Sequence, residues 1–405
     1  MSATPLELDR IQRADLCTGC GLCSAVAGPA IEMRMSPKGY LRPVRVGPVP
    51  ERVDRVIRDA CPGANLDLRA PEAPPHPDWG PLKAVRTGHA TDPAVRHRAS
   101  SGGVLSALLI HLLESAQVDF VVQTAVSPTS PLLNAVREST GRDDVFAAAG
   151  SRYAPSAPLE RLDEHLARPG RFAFVGKPCD VAALRAYARH DPRVVEKVAF
   201  MISFMCGGIP SQHGTGDILE ALGMREEEVA AFRFRGEGWP GRTTAVAADG
   251  RTASMTYDEA WGGILSKRVQ FRCKICPDGT GAFADVVCAD AWHGDERGYP
   301  CFEEQDGRSL ILTRTRMGED LVRAAEAAGA IRTEPLAAAE ILSMQPFQAK
   351  RKRMTLSRLA AMAVLGRRLP RFRGLDLGRA ALMGGAKANL VSFLGLARRL
   401  LRGRA

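Results

Sequence analysis

The sequence has no long apolar run. Its most apolar stretch, from Gly102 to Leu113, falls well short of the ~20 residues a membrane-spanning helix needs, so no transmembrane segment is expected. The first ten residues lack a basic segment followed by an apolar one; no secretory leader is read there, and a cytoplasmic location is expected. The eight histidines are scattered without metalloprotease spacing. No Gly-x-Ser-x-Gly elbow and no complete Gly-x-x-x-x-Gly-Lys-Ser/Thr loop occurs, which argues against serine hydrolysis and P-loop nucleotide chemistry. Internal repeats are missing too. The chain is not poor in apolar residues, however: 45% hydrophobic and 25% charged over 405 residues fit a folded body of two or three domains rather than a disordered chain.

Charge is unevenly spread. The net charge is +10, yet residues 349–405 alone hold 15 Lys and Arg against one acidic residue, Asp376, which leaves the preceding body slightly acidic. In that tail, apolar and basic residues recur at helical spacing (Leu356, Leu359, Met362, Ala363; Leu394, Leu396, Leu400 with Arg398, Arg399, Arg402), as in amphipathic helices. A basic, Leu-rich tail points to an acidic protein, an anionic ligand or a membrane surface; nucleic acid is not expected.

Three regions follow. Residues 1–70 hold four cysteines with little helical or strand periodicity, and residues 70–80 (APEAPPHPDWG) read as a Pro-rich linker. Residues 81–345 alternate short β-branched runs (119–126, 171–175, 195–204, 284–289, 309–315) with helix-forming stretches (102–116, 180–190, 215–222, 318–328). This pattern predicts an α/β domain, with α+β as the variant if the sheet is mixed. Residues 346–405 form the helical tail.

Ten cysteines in a chain of expected cytoplasmic location favour metal or redox chemistry over disulfides. Cys17, Cys20 and Cys23 stand in Cys-x-x-Cys-x-x-Cys with Gly19 and Gly21 between them, the spacing with which a tight loop wraps an iron–sulfur cubane. The Cys-Pro that usually completes such a run is replaced after Cys23 by Ala27-Gly28, and Cys61-Pro62 is the nearest substitute. A zinc knuckle is the alternative for these thiols. Cys273 and Cys276 supply two ligands of a candidate second site; Cys179 and Cys206, each following a predicted strand, are placed to supply the other two, with buried core thiols as the alternative. Cys288 reads as a core residue and Cys301 has no assigned role.

The run His97 to Gly103 (HRASSGG) leads directly into a helix. Ser100, Ser101, Gly102 and Gly103 there form a candidate anion-binding nest that His97 and Arg98 could complete, with an ordinary N-cap as the alternative. Gly176-Lys177-Pro178 is a second strand-to-loop turn carrying a cation. Arg233, Arg235 and Trp239 could face a planar anionic ligand or belong to a solvated loop. Asp285, Asp290, Trp292 and Asp295 line the same crevice or cap a strand.

Taken in order, CTGCGLC, HRASSGGV, GKPCDVAALR, FMCGGIPS, FRGEGWPG, CKICPDGTGAFADVVCADAW and SLILTRTRMGEDL resemble the coenzyme F-420 hydrogenase/dehydrogenase beta-subunit family over roughly residues 10 to 345. That family includes ferredoxin-dependent 7-hydroxymethyl chlorophyll a reductase and divinyl chlorophyllide 8-vinyl reductase. The resemblance implies a ferredoxin-like iron–sulfur module (1–70), a mixed-sheet flavin-binding catalytic domain (81–345), FAD, and one or two [4Fe-4S] clusters. By the same resemblance, Ser100, Ser101, Gly102, Gly103, Gly176, Lys177 and Pro178 would hold the flavin. Cys179, Cys206, Cys273 and Cys276 would hold the inner cluster, and Cys17, Cys20, Cys23 and Cys61 the outer one. The function expected is an oxidoreductase that relays electrons from a one-electron donor such as ferredoxin, through the clusters and FAD, to a small organic substrate. Two alternatives stand beside it: a beta subunit exchanging electrons with coenzyme F-420, and, in another class, a zinc-binding interaction protein with a nucleic-acid- or membrane-binding tail.

Overall fold

A computed structural model describes residues 6–294 and 301–403. Its central sheet has eight strands: Ala84–Ala90 (β1), Phe120–Ser127 (β2), Ser130–Ser139 (β3), Phe172–Gly176 (β4), Val198–Phe204 (β5), Val286–Asp290 (β6), Ser309–Thr313 (β7) and Ile331–Pro335 (β8), in the order β8-β1-β7-β6-β5-β4-β2-β3. The four middle strands, β6, β5, β4 and β2, run parallel, with Ile202 opposite both Val286 and Val175. The flanking strands are antiparallel, so the sheet is mixed. Successive residues of a strand point to opposite faces. Accordingly Phe172 and Phe174 of β4 pack in the core under the helix Pro178–Tyr187, while Ala173 and Val175 pack in the core under the helices Val104–Glu114 and Arg316–Ala327. Both faces are covered, as buried parallel strands require.

A second, antiparallel sheet (Val229–Arg233, Thr243–Ala247, Thr252–Met255) packs with its own small core. The N-terminal region contains the helices Glu7–Arg13, Leu22–Ala27 and Glu51–Ala60 and the hairpin Ile31–Met35/Leu41–Arg45. The tail folds into the helices Pro346–Arg353, Thr355–Val364, Leu377–Gly384 and Ala386–Leu401.

Several sequence expectations change. Residues 6–70 are well structured; their elements are of ten residues or fewer, too short for a periodic signal. The Pro-rich run is not a free tether: Ala73, Asp78 and Trp79 are buried, Pro75–His76 pairs with Gly80–Pro81, and Arg314 donates to the Trp79 carbonyl at 2.8 Å. Residues 195–204 are not all strand, because the helix Arg193–Lys197 precedes Val198. The tail is not a separate appendage either. Ala361, Met362, Leu396 and Leu400 share one core with Leu8, Ile11, Leu16 and Cys17, and Arg371–Arg373 pairs in parallel with Asn65–Asp67. No local pattern reports contacts across more than 300 residues. Asp295 lies outside the described residues.

Candidate active site

The parallel strands end on a cavity of about 690 Å³, within the range of about 300–1,000 Å³ typical of ligand clefts. Its wall takes Gly176 at the end of β4 and Lys177 after it, Met205 and Cys206 after β5, and Asp290 at the end of β6. A crevice at the carboxyl ends of parallel strands is where α/β sheets bind ligands. Ser100, Ser101 and Gly103 bring in the N-terminus of the helix Val104–Glu114. Gly103 is left-handed (φ 76°), and a Cβ there would meet Arg96 Cα and Val95 O at 3.0 Å, so the turn requires glycine. Among the described residues no side chain caps this helix, which leaves its first amides available to an anion.

The other residues expected to form the nest behave differently. Gly102 and Pro178 do not line the cavity: a Cβ on Gly102 would lie 2.6 Å from the Ser309 amide, and Pro178 opens the next helix. Ser100 Oγ accepts from the Ser151 amide at 2.5 Å, and Ser101 Oγ lies 3.1 and 3.0 Å from the Ala289 and Arg308 carbonyls, so both hydroxyls fix the loop. Lys177 is paired with Asp180 at 2.8 Å; burial opposes its charge most, but Asp180 with the nearby Cys179 and Cys206 together raise its pKa. His97 and Arg98 turn to Glu237, as does Arg233. Asp285 is structural: it accepts from the Met201 amide at 2.8 Å and from Arg185 at 2.6 Å.

Arg235 is buried and forks onto Asp290 with both contacts at 3.0 Å, while Trp239 Nε1 donates to the same carboxylate at 2.8 Å. Burial opposes the Arg235 charge most, but Asp290 with Tyr153 and Tyr257 together push the guanidinium pKa up. The Arg235 guanidinium lies over Tyr257 and Trp292, and Trp292 stacks on Trp239 with centroids 4.7 Å apart. Sequence reasoning missed Arg152, a cavity residue whose guanidinium donates, among the described residues, to uncharged groups alone, the Asn134 side chain and the Pro131, Leu133 and Phe232 carbonyls. Burial lowers its pKa to about 10, which still leaves it cationic at neutral pH. The tail also reaches the site: Gln348 and Arg351 line the cavity and donate to the Cys206 carbonyl.

The cysteines gather in two sets. Cys17, Cys20, Cys23 and Cys61 line one small apolar cavity with Leu8, Ile11, Leu22 and Ile57. Burial pushes the Cys61 thiol up to about 12, and the nearby Cys17 opposes its ionisation further. In the second set, Cys206 and Cys273 stand in the wall of the large cavity. The Cys206 thiol is likewise pushed up to about 12 by burial, with Cys273 and Cys276 close enough to add to the effect, and Cys179 is raised by burial with smaller contributions from Cys206 and Cys273. Among the described residues no three His, Cys, Asp or Glu side chains close around a single metal ion. Thiols around a cluster stand wider, with iron and sulfide between them. Two sets of four soft donors, costly to ionise unless a cation compensates, fit iron–sulfur groups. Cys288 is buried in β6 and reaches the cavity wall, and the Cys301 amide donates to the His293 carbonyl at 2.8 Å.

Gln270 links the sets and was not foreseen. It is 3% exposed; its Oε1 accepts from Arg42 at 2.9 Å, which aims Nε2 at the Thr18 carbonyl (3.4 Å) and at Cys273 Sγ (3.5 Å). Arg272, also buried, donates to the Pro62 carbonyl at 2.7 Å, and its charge favours the thiolates of both Cys61 and Cys276.

A mixed sheet with a ligand cavity at its parallel strand ends and thiols in the cavity wall defines the class, an α/β ligand-binding protein with soft donors at its site. The particular family follows from comparison. The family models for the N-terminal and C-terminal parts of the coenzyme F420 hydrogenase/dehydrogenase beta subunit match residues 85–162 and 170–339, and the chain belongs to this family. It is 26% identical to the coenzyme F420 hydrogenase subunit beta of Methanococcus voltae, over 63% of this chain and 85% of that protein. It is 24% identical to the coenzyme F420-dependent sulfite reductase of Methanocaldococcus jannaschii, over 61% of this chain and 38% of that protein. Its fold is similar to a chain of the F420-reducing [NiFe] hydrogenase complex from Methanosarcina barkeri, solved as a xenon derivative (TM-score 0.57, 21% identity, 72% of this chain and 96% of that one).

Proposed function

We propose that the protein exchanges electrons with coenzyme F420 and passes them, through FAD in the large cavity and [4Fe-4S] centres in the two cysteine sets, to a partner subunit or a bound organic substrate. The observation that carries this reading is that Cys206 and Cys273 share a cavity wall with the uncapped helix N-terminus beyond Gly103. The names of the relatives support F420 as the redox partner. When bound, a flavin couples two-electron to one-electron chemistry and the clusters carry single electrons. The chain's own residues bind, orient and shield. The amides after Gly103 and the Arg152 guanidinium attract phosphate, and Arg235, held by Asp290, fixes the aromatic wall of Tyr257 and Trp292. Cys179, Cys206, Cys273 and Cys276 would hold the centre nearest the cavity, and Cys17, Cys20, Cys23 and Cys61 the outer one.

One observation favours a second reading, a reductase fed by ferredoxin. The outer cysteine set lies before residue 85, outside both family matches, as an added electron entry would. Anaerobic purification with iron, zinc, sulfide and flavin analysis, followed by mixing with reduced F420 or reduced ferredoxin, tests both. Flavin bleaching by F420 supports the first reading and bleaching by ferredoxin alone the second. A colourless zinc protein overturns both.

A further inference from the structure

We propose that the helices Leu377–Gly384 and Ala386–Leu401 form a docking face for the surface of an anionic lipid bilayer. This inference does not rest on the cofactor reading. A helix packed on a soluble core normally buries one apolar stripe and turns polar residues outward. The helix Ala386–Leu401 buries Leu396 and Leu400 against the N-terminal core, with Phe393 and Ala397 partly buried beside them. It nevertheless carries a second apolar stripe facing solvent: Leu390 is 58% exposed, Val391 63% and Leu394 55%. The preceding helix adds Leu382, 82% exposed, and Met383.

The two helices meet at Gly385, which has a φ of 74°, with their axes 105° apart. The Asn389 amide fixes the bend by donating to the Ala381 carbonyl at 2.8 Å and the Gly385 carbonyl at 3.0 Å, which brings the turn bearing Leu382 and Met383 next to the turn bearing Leu390 and Val391. The apolar residues therefore form one elbow-shaped ridge.

Charge selects the occupant. From Leu377 to Gly403 no acidic residue occurs, while Arg379, Lys387, Arg398, Arg399 and Arg402 are exposed. Only Arg379 of these five forms an ion pair with a described residue, Asp376 at 3.2 Å. Aliphatic residues flanked by uncompensated cations match an acyl layer beneath anionic headgroups, where an interfacial helix sinks its apolar face. Among the described residues no single helix is long and apolar enough to span a bilayer, and the bend turns the pair away from a straight span. The pair lies in the interface.

The test is sedimentation of the full-length protein with vesicles of phosphatidylcholine alone or mixed with phosphatidylglycerol. Binding to the mixed vesicles, lost about tenfold or more in L390D/L394D and reduced about fivefold in K387Q, is expected. Both variants change exposed side chains; unchanged circular dichroism and an unchanged urea-denaturation midpoint show that the fold is kept. No binding to the mixed vesicles overturns the proposal. So does binding that L390D/L394D leaves intact, which is charge attraction alone, or self-association abolished by L390D/L394D in the absence of lipid, which makes a second copy the occupant.

Discussion

Gln270 shows how much one side chain can do without belonging to a motif. Arg42 holds its amide oxygen, so the amide nitrogen faces the Thr18 carbonyl in the outer cysteine loop and the Cys273 sulfur of the inner one. Hydrogen bonds to ligating sulfur stabilise added negative charge and raise the potential of an iron–sulfur centre. If the proposed centres are present, Gln270→Leu is expected to lower the midpoint potential of the one assigned to Cys273 and to change that of the Cys17 set less, as read by redox titration with electron paramagnetic resonance. Cys273→Ser should lose iron while Cys288→Ser keeps it, because Cys288 is a wall residue of β6; iron analysis of the two variants separates a ligand from a neighbour. That Cys17, Cys20 and Cys23 gather was legible, because their x-x spacing keeps them on one loop. Gln270 was not, since its role exists only after folding brings together residues 252 apart in sequence. Arg152 stayed hidden for the same reason, because a lone arginine in sequence carries no record of the carbonyls around it.

Among the elements, the middle strands were the easiest to read, since burial on both faces demands the continuous apolar runs of β4 and β5. β1 (AVRTGHA) was missed because its polar residues disguise a strand. Arg86 on β1 forks onto Glu319 of the helix Arg316–Ala327 at 2.9 and 2.6 Å, and Thr313 Oγ1 adds a contact at 2.8 Å. The hydrogen bonds from Arg86, foremost, hold the Glu319 carboxyl down to about 2, against burial. A carboxyl with a folded-state pKa below its unfolded value near 4.5 stabilises the fold above that value and loses its contribution as pH falls towards 2. At neutral pH this amounts to about 3 kcal/mol. Glu319→Gln should therefore cost about 2–3 kcal/mol in urea unfolding at pH 7. The difference between Glu319→Gln and the parent protein should shrink as pH is lowered from 5 to 3.

At the scale of the whole molecule, the tail roofs the N-terminal module and also closes the cavity. Its helical spacing was legible, but a spacing rule cannot say which of two apolar faces is covered. Met362 and Leu396 are buried in the core that contains Ile11, Leu16 and Cys17, whereas Leu390 and Leu394 face out. Substitutions on the two faces must therefore differ. Met362→Ala or Leu396→Ala should destabilise by about 2–5 kcal/mol, the cost of emptying a packed site. If iron occupies both cysteine sets, the loss falls on the outer set, because the loosened core is the one Cys17 belongs to. Leu390→Ala should change stability by no more than about 0.5 kcal/mol. Removing residues from Pro346 onward goes further, because Gln348 and Arg351 hold the Cys206 carbonyl and form part of the cavity wall. Such a truncation should weaken ligand retention in the cavity and lose iron from both cysteine sets. If the truncated chain instead kept its full iron content and its denaturation midpoint, the shared core of tail and N-terminal module would contribute nothing to stability, and both Met362→Ala and Leu396→Ala would have to be silent as well.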